Sequence, residues 1–251
     1  MLDRLRAAMG LTIGVCLGLA ITMSSAESQE ENASNPLSKG RNTDLRLQTT
    51  RSANRDLTDA FVEGAFMASD KLKIKYELHY NEVQDGDATL RGVEKAVVKG
   101  IYFPAEGALG ETWGYRLALG LDWILDLDHG DSIGPEADQL GPFAGIAFAN
   151  RQTGLSLIPL LQHFASYNGP KEISQTAVRL IALQPFAEDF WFKADVKFPY
   201  DWNQENLPAS AELQLGYHLS ERLALYGDLL IGIGDDRPYD TGAGIGLRVR
   251  Y

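Results

Sequence analysis

Between Trp113 and Asp128 the chain alternates without interruption. Trp113, Tyr115, Leu117, Leu119, Leu121, Trp123, Leu125 and Leu127 share one parity. Arg116, Ala118, Gly120, Asp122, Ile124, Asp126 and Asp128 share the other. A helix would smear these two sets around its circumference, whereas a strand sends them to opposite faces. Strands of soluble sandwiches run to about 5–6 residues, while a tilted strand crossing a bilayer needs about 9–11. A run of this length with one wholly apolar face therefore reads as a membrane-crossing strand.

The same pattern recurs along the chain. In Leu72–Tyr80, Lys73, Lys75, Glu77 and His79 oppose five apolar or aromatic residues. In Phe190–Tyr200, Lys193, Asp195 and Lys197 oppose the aromatics. Glu212 and Gln214 oppose Leu213 and Leu215, Asp228 opposes Leu229, and Arg248 and Arg250 oppose Leu247 and Val249. Asn42–Thr49 and Gln175–Gln184 are strand-like, the latter with Arg179 turned inward. Phe61–Ala68, Val93–Phe103, Leu140–Ala149 and Leu155–Tyr167 are strand-like without a clear phase, and Pro159 points to an edge or bulge. Short connections alternate with longer polar ones (51–57, 81–90, 129–138, 168–174, 201–208), as turns and outer loops do in bacterial barrels. The segment Pro104–Thr112 is too long for its place in the short series. The expectation is an all-β fold: a transmembrane antiparallel up-and-down β-barrel of about twelve strands, ten if the unphased middle segments are not separate strands.

The first residues place Arg4 and Arg6 before an apolar run, which ends at Ser24-Ser25-Ala26. That layout is a secretory signal peptide, 1–26, cleaved after Ala26; the run is slightly short for a membrane anchor. Residues 27–41 are polar and are expected to be a flexible periplasmic leader, with the barrel spanning 42–251. The expected location is the bacterial outer membrane. Cys16 is the one cysteine and goes with the signal peptide, which excludes disulfides and cysteine-based metal sites. No cofactor is expected. Without Asp3, Arg4 and Arg6 the mature chain has 33 acidic and 21 basic residues, a net −12, which argues against nucleic-acid binding.

The polar faces nominate lumen residues: Lys73, Lys75, Glu77, His79, Arg116, Asp122, Lys193, Asp195, Lys197, Glu212, Asp228, Arg248 and Arg250. Two readings stay open, a selective passage or a cross-braced polar interior. The acidic loop 126–138 lacks the spacing of a calcium loop and reads as solvated, so no metal site is assigned. His218 and Ser220 have the two-residue spacing of a base and nucleophile, but the strand phase turns His218 inward at a turn. His163 and Ser166 fall on opposite faces. Neither meets the geometry of an activated nucleophile, and no enzyme is expected. Aromatics near strand ends, among them Tyr80, Tyr102, Phe103, Trp113, Tyr167, Phe190, Trp191, Trp202 and Tyr251, suit interfacial girdles. The expected partners are outer-membrane lipid and lipopolysaccharide.

Several stretches together carry a family likeness: Asn35-Pro36-Leu37, Asn42–Arg46, Ile158-Pro159-Leu160 with Gln162-His163-Phe164, and the glycine-rich Gly242–Tyr251. They resemble the outer-membrane proteins grouped as the phenol-degradation meta-pathway or transporter family. The resemblance implies a barrel that takes up small hydrophobic or aromatic molecules and assigns no binding residues. The terminal Tyr251 on an amphipathic strand likewise resembles the signal read by the barrel-insertion machinery. The alternative function is a non-transporting barrel with a structural or surface role; a soluble periplasmic β-protein is the weaker third reading.

Overall fold

The computed structural model describes residues 34–53, 55–128 and 133–251. The expected signal peptide, with Cys16, and residues 27–33 of the expected leader lie outside the described residues. Among the described residues there are thirteen strands: β1 (Asn42–Arg51), β2 (Arg55–Ser69), β3 (Leu72–Asp85), β4 (Ala88–Tyr102), β5 (Glu106–Leu109), β6 (Trp113–Asp126), β7 (Asp138–Asn150), β8 (Ser156–Asn168), β9 (Ser174–Phe186), β10 (Phe190–Asp201), β11 (Ala209–His218), β12 (Leu223–Ile233) and β13 (Thr241–Arg250). Each pairs antiparallel with its neighbour. The last strand returns to the first with Asn42 opposite Arg250, and β4 skips β5 to pair with β6. Twelve strands thus close a barrel, and β5 is extra, pairing only with β6. It accounts for the overlong Pro104–Thr112 segment: a short flap hangs from the turn end.

Closure leaves no edge, so Pro159 is not an edge residue. Its ladder toward β9 is continuous. Toward β7, pairing passes from Gly145↔Leu160 to Phe148↔Leu157 with no pair between, and a second gap surrounds Pro142. Proline has no N–H to donate, so these two residues interrupt the β7–β8 seam.

Two expected long loops are mostly strand. β3 and β4 stay paired up to Asp85↔Ala88, around a turn with Gly86 at φ 59°, and only residues 52–54 separate β1 from β2. Polar composition there marks wall standing above the membrane. The unphased segments also have physical causes. In β4 the register shifts opposite His79 and Tyr80, so Val93 faces out while Val97 and Ile101 face in. A bulge of this kind flips the parity of everything beyond it.

Outward residues such as Leu45, Leu119, Leu161, Leu215, Leu229 and Ile245 are exposed and form a continuous apolar belt, the mark of a barrel surrounded by lipid. Aromatics flank it: Trp123 donates to the Tyr167 hydroxyl at 2.6 Å on the loop side, and Phe190 packs on Tyr217 at the turn end. Two residues expected in the girdle are not there. Trp191 is fully buried on the inner face and Phe103 is 2% exposed in an inner cluster.

Candidate functional site: the barrel lumen

Register sends all thirteen nominated residues to the inner face, together with Asp44, Arg46, Gln48, Asp59, Glu63, Lys99 and Arg179. The lumen is organised in three levels. With the termini and tight turns taken as periplasmic, the lowest is filled by the chain's own N-terminal segment.

Residues 34–41 of the expected flexible leader fold into this end. Asn35-Pro36-Leu37-Ser38 forms a turn closed by the Ser38 N–H donating to the Asn35 carbonyl at 3.0 Å, with Pro36 presetting the second position. Leu37 is 1% exposed and packs against Ile101, Phe103, Ala118, Ala147, Ile158 and Ile181. Inner-wall groups then tie the turn down. Lys73 Nζ donates to the Ser38 carbonyl at 2.6 Å and Arg116 Nη1 to that of Leu37 at 3.0 Å. Arg248 Nη1 donates to Ser34 Oγ at 2.7 Å. Lys39 and Arg116 both reach Glu106 on the β5 flap, at 2.8 and 2.7 Å. Glu106 lies outside the membrane-spanning ring. Hydrogen bonds from Lys39 and Arg116 hold its carboxyl below the usual glutamate range. A polar composition alone reads as disorder; what it misses is that one leucine and a proline turn suffice when the wall supplies an apolar patch and three donors. Below the turn a cavity of about 900 Å³ opens, with Asn35, Arg116, His218 and Arg250 in its wall.

The middle level is a layer of paired charges. Arg46 reaches Asp228 at 2.7 Å, Glu212 at 3.3 Å and Glu63 at 3.4 Å. Lys193 pairs with Glu212 at 2.6 Å, Lys99 with Asp122 at 3.0 Å, and Lys75 lies 3.4 Å from Glu63 and 3.9 Å from Glu77. Arg179 Nε donates to Asp195 at 2.8 Å. Asp44 accepts from Arg248 and, at 2.7 Å, from the Tyr226 hydroxyl. Arg46 and Arg248 also lie over the Phe61 and Tyr226 rings, at 5.0 and 5.2 Å. Glycines make room for the large inner side chains: a Cβ at Gly216 would run into the Trp191 ring and one at Gly246 into Tyr226. That is the reason for the glycine-rich face of β13.

Above the charge layer is a second cavity of about 250 Å³, walled by Gln48, Asp59, Asp195, Lys197, Glu212 and Tyr239. Lys197 points inward yet is exposed, so its ammonium meets the space of the lumen. It has no hydrogen bond or ion pair within 4.0 Å among the described residues. Nearby, His79 stacks on Phe61 at 4.6 Å and its Nδ1 lies 2.9 Å from Asp59. The acidic loop spends its carboxylates on its own backbone: Asp138 accepts from the Asp126 N–H at 2.9 Å and Asp128 from that of Ile133 at 3.0 Å. Asp131 lies outside the described residues.

His218 packs tilted against Trp191, ring centroids 4.6 Å apart, and its Nδ1 accepts from Arg250 at 3.0 Å. Ser220 Oγ accepts the Leu223 N–H at 3.1 Å within the turn. His163 Nδ1 faces Thr176 Oγ1 at 2.9 Å, and Ser166 Oγ accepts the Ile173 N–H at 2.9 Å.

No family model matches the chain, and no curated protein matches it either. Solved structures do. An outer-membrane channel from Pseudomonas putida F1 designated COG4313 superposes with a TM-score of 0.68 at 8% identity, covering 90% of this chain and 100% of that one. The NanC porin superposes at 0.58 with 11% identity, over 83% and 98%. Outer membrane phospholipase A from Escherichia coli superposes at 0.51 with 13% identity, over 84% and 92%. At such identities the likeness speaks for the fold alone. Closed ring, apolar belt and superposition agree: the chain is an outer-membrane β-barrel of porin-like fold.

Proposed function

We propose that the chain is an outer-membrane channel for small solutes, narrowed by the charge layer and restrained at its periplasmic end by the 34–41 turn. The observation that carries this reading is the pair of cavities, about 900 Å³ at the turn-side mouth and about 250 Å³ above the charge layer. An interior needed only for bracing would have every charge paired, whereas Lys197 faces the upper cavity with its ammonium available. Ionised groups of both signs favour a small polar or ionic solute. The expectation of a hydrophobic or aromatic solute rests on the family resemblance; the inner rings of Phe61 and Tyr226 that could receive one are already covered by Arg46 and Arg248. In this reading the belt meets membrane lipid and lipopolysaccharide, and β13 with Tyr251 addresses the insertion machinery.

The non-transporting alternative draws on the buried Leu37 turn, which fills the periplasmic end. Planar-bilayer recordings separate the two, using the mature chain and a chain without residues 27–41. A channel gives small steps for the first and larger ones for the second. Silence from both, with no solute uptake into liposomes, would leave only the structural role.

A further inference from the structure

We infer that the loop-side half of the lumen carries a divalent transition-metal site formed by Asp59, His79 and Glu94, with Asn81 as a fourth donor. Three adjacent strands bring these residues to one patch. Asp59 on β2 stands directly opposite Asn81 on β3, and His79 precedes Asn81 by two residues on the same face. Glu94 is the extra residue where β4 slips register against His79 and Tyr80. The bulge turns Glu94 inward; without it that residue would face lipid. One donor atom from each of Asp59, His79 and Glu94 lies within 4.8 Å of the others, with His79 and Glu94 buried. Two ligands on one zinc ion, each about 2.0–2.2 Å away, stand about 3.4 Å apart in a tetrahedron, so small side-chain rotations close the set.

Two further features point to a ligand. Asn81 is 2% exposed, and its Nδ2 is turned to the Ile133 carbonyl at 3.5 Å. Its Oδ1 has no hydrogen-bond partner among the described residues. A buried amide oxygen without a donor carries a desolvation cost that a cation would remove. The second feature is Glu77, 3.4 Å from His79 Nε2. A ligating histidine commonly directs its second ring nitrogen to a carboxylate, which leaves Nδ1, now 2.9 Å from Asp59, as the metal-facing atom. Lys95, 2.8 Å from Glu94 and partly exposed, is the competing cation and must swing away. One imidazole with two carboxylates and an amide oxygen selects zinc or a similar first-row ion over calcium or magnesium.

The test uses the mature chain in detergent without a histidine tag. Zinc chloride is titrated calorimetrically, with calcium and magnesium as controls and cobalt(II) absorbance as a report of geometry. One zinc per chain is expected. His79→Ala and Glu94→Gln should each weaken binding by about tenfold or more, Asn81→Ala should weaken it less, and His163→Ala should leave it unchanged. Heat-modifiable gel migration shows that each variant still forms the barrel, and His79→Gln replaces His79→Ala if that variant does not. The inference falls if no saturable zinc binding is seen, if folded His79 and Glu94 variants bind as tightly as the parent, or if calcium or magnesium binds equally well.

Discussion

Lys197 and Asp44 illustrate opposite uses of an inward-facing charge. Asp44 is fully enclosed, with Arg248, Tyr226 and Asn42 all donating to it. Removing one partner of such a pair strands the other, typically at about 3–5 kcal/mol. Asp44→Ala should therefore lower the urea midpoint of the folded barrel by an amount matching a loss of that size, while Asp56→Ala on the exposed Arg51 pair should change it little. Lys197 has no such enclosure. If the upper cavity lies on the conduction path, Lys197→Glu should move the reversal potential in a salt gradient toward cation preference, with little effect on stability. Gly216→Val should prevent barrel formation, because the new side chain would occupy the place of the Trp191 ring. Reading parity alone sends Lys197, Asp195 and Arg248 inward correctly, because the strand period is two and the outer face is apolar. It cannot say which of them are paired, since pairing depends on tilt and on strands far apart in sequence, as with Arg46 and Glu212.

Among elements, the 34–41 turn and the β5 flap act together. Burying a leucine is worth about 1.5–3 kcal/mol, so Leu37→Asp should release the turn and raise single-channel conductance. Acid should weaken the same latch through Glu106. Its carboxyl titrates below its ordinary value near 4.5 because Lys39 and Arg116 donate to it. A carboxyl lowered on folding contributes stability above its unfolded value and loses it as pH falls through the folded one. Conductance should hold steady from neutral pH down to about 4.5 and rise only below that, and Glu106→Gln should flatten the response. The turn and β8 hide from a pattern reading for a shared reason. Ile158 faces Leu37 inside the lumen while Leu157 and Leu161 face lipid, so both faces of β8 are apolar and the alternation disappears. The β4 bulge erased phase in a second way, and the polar strand extensions of β3 and β4 resembled loop.

For the whole molecule, closure by β1 and β13 was legible in the even strand count and in the placement of both termini at the turn end; the additional flap was not, since β5 has only four residues and lies outside the ring. An unboiled sample should migrate faster than a boiled one in a denaturing gel, and the protein should resist carbonate extraction; failure of both would contradict a lipid-embedded ring. One side chain makes closure more than a matter of shape. Arg248, on β13, holds Asp44 across the β1–β13 seam and Ser34 of the turn with the same guanidinium. Until β13 is in place, neither contact can exist. The earliest described residues therefore gain their full set of anchors only when β13 seals the ring, and a chain truncated before Arg248 would have both an unsealed wall and a turn without its Arg248 tether.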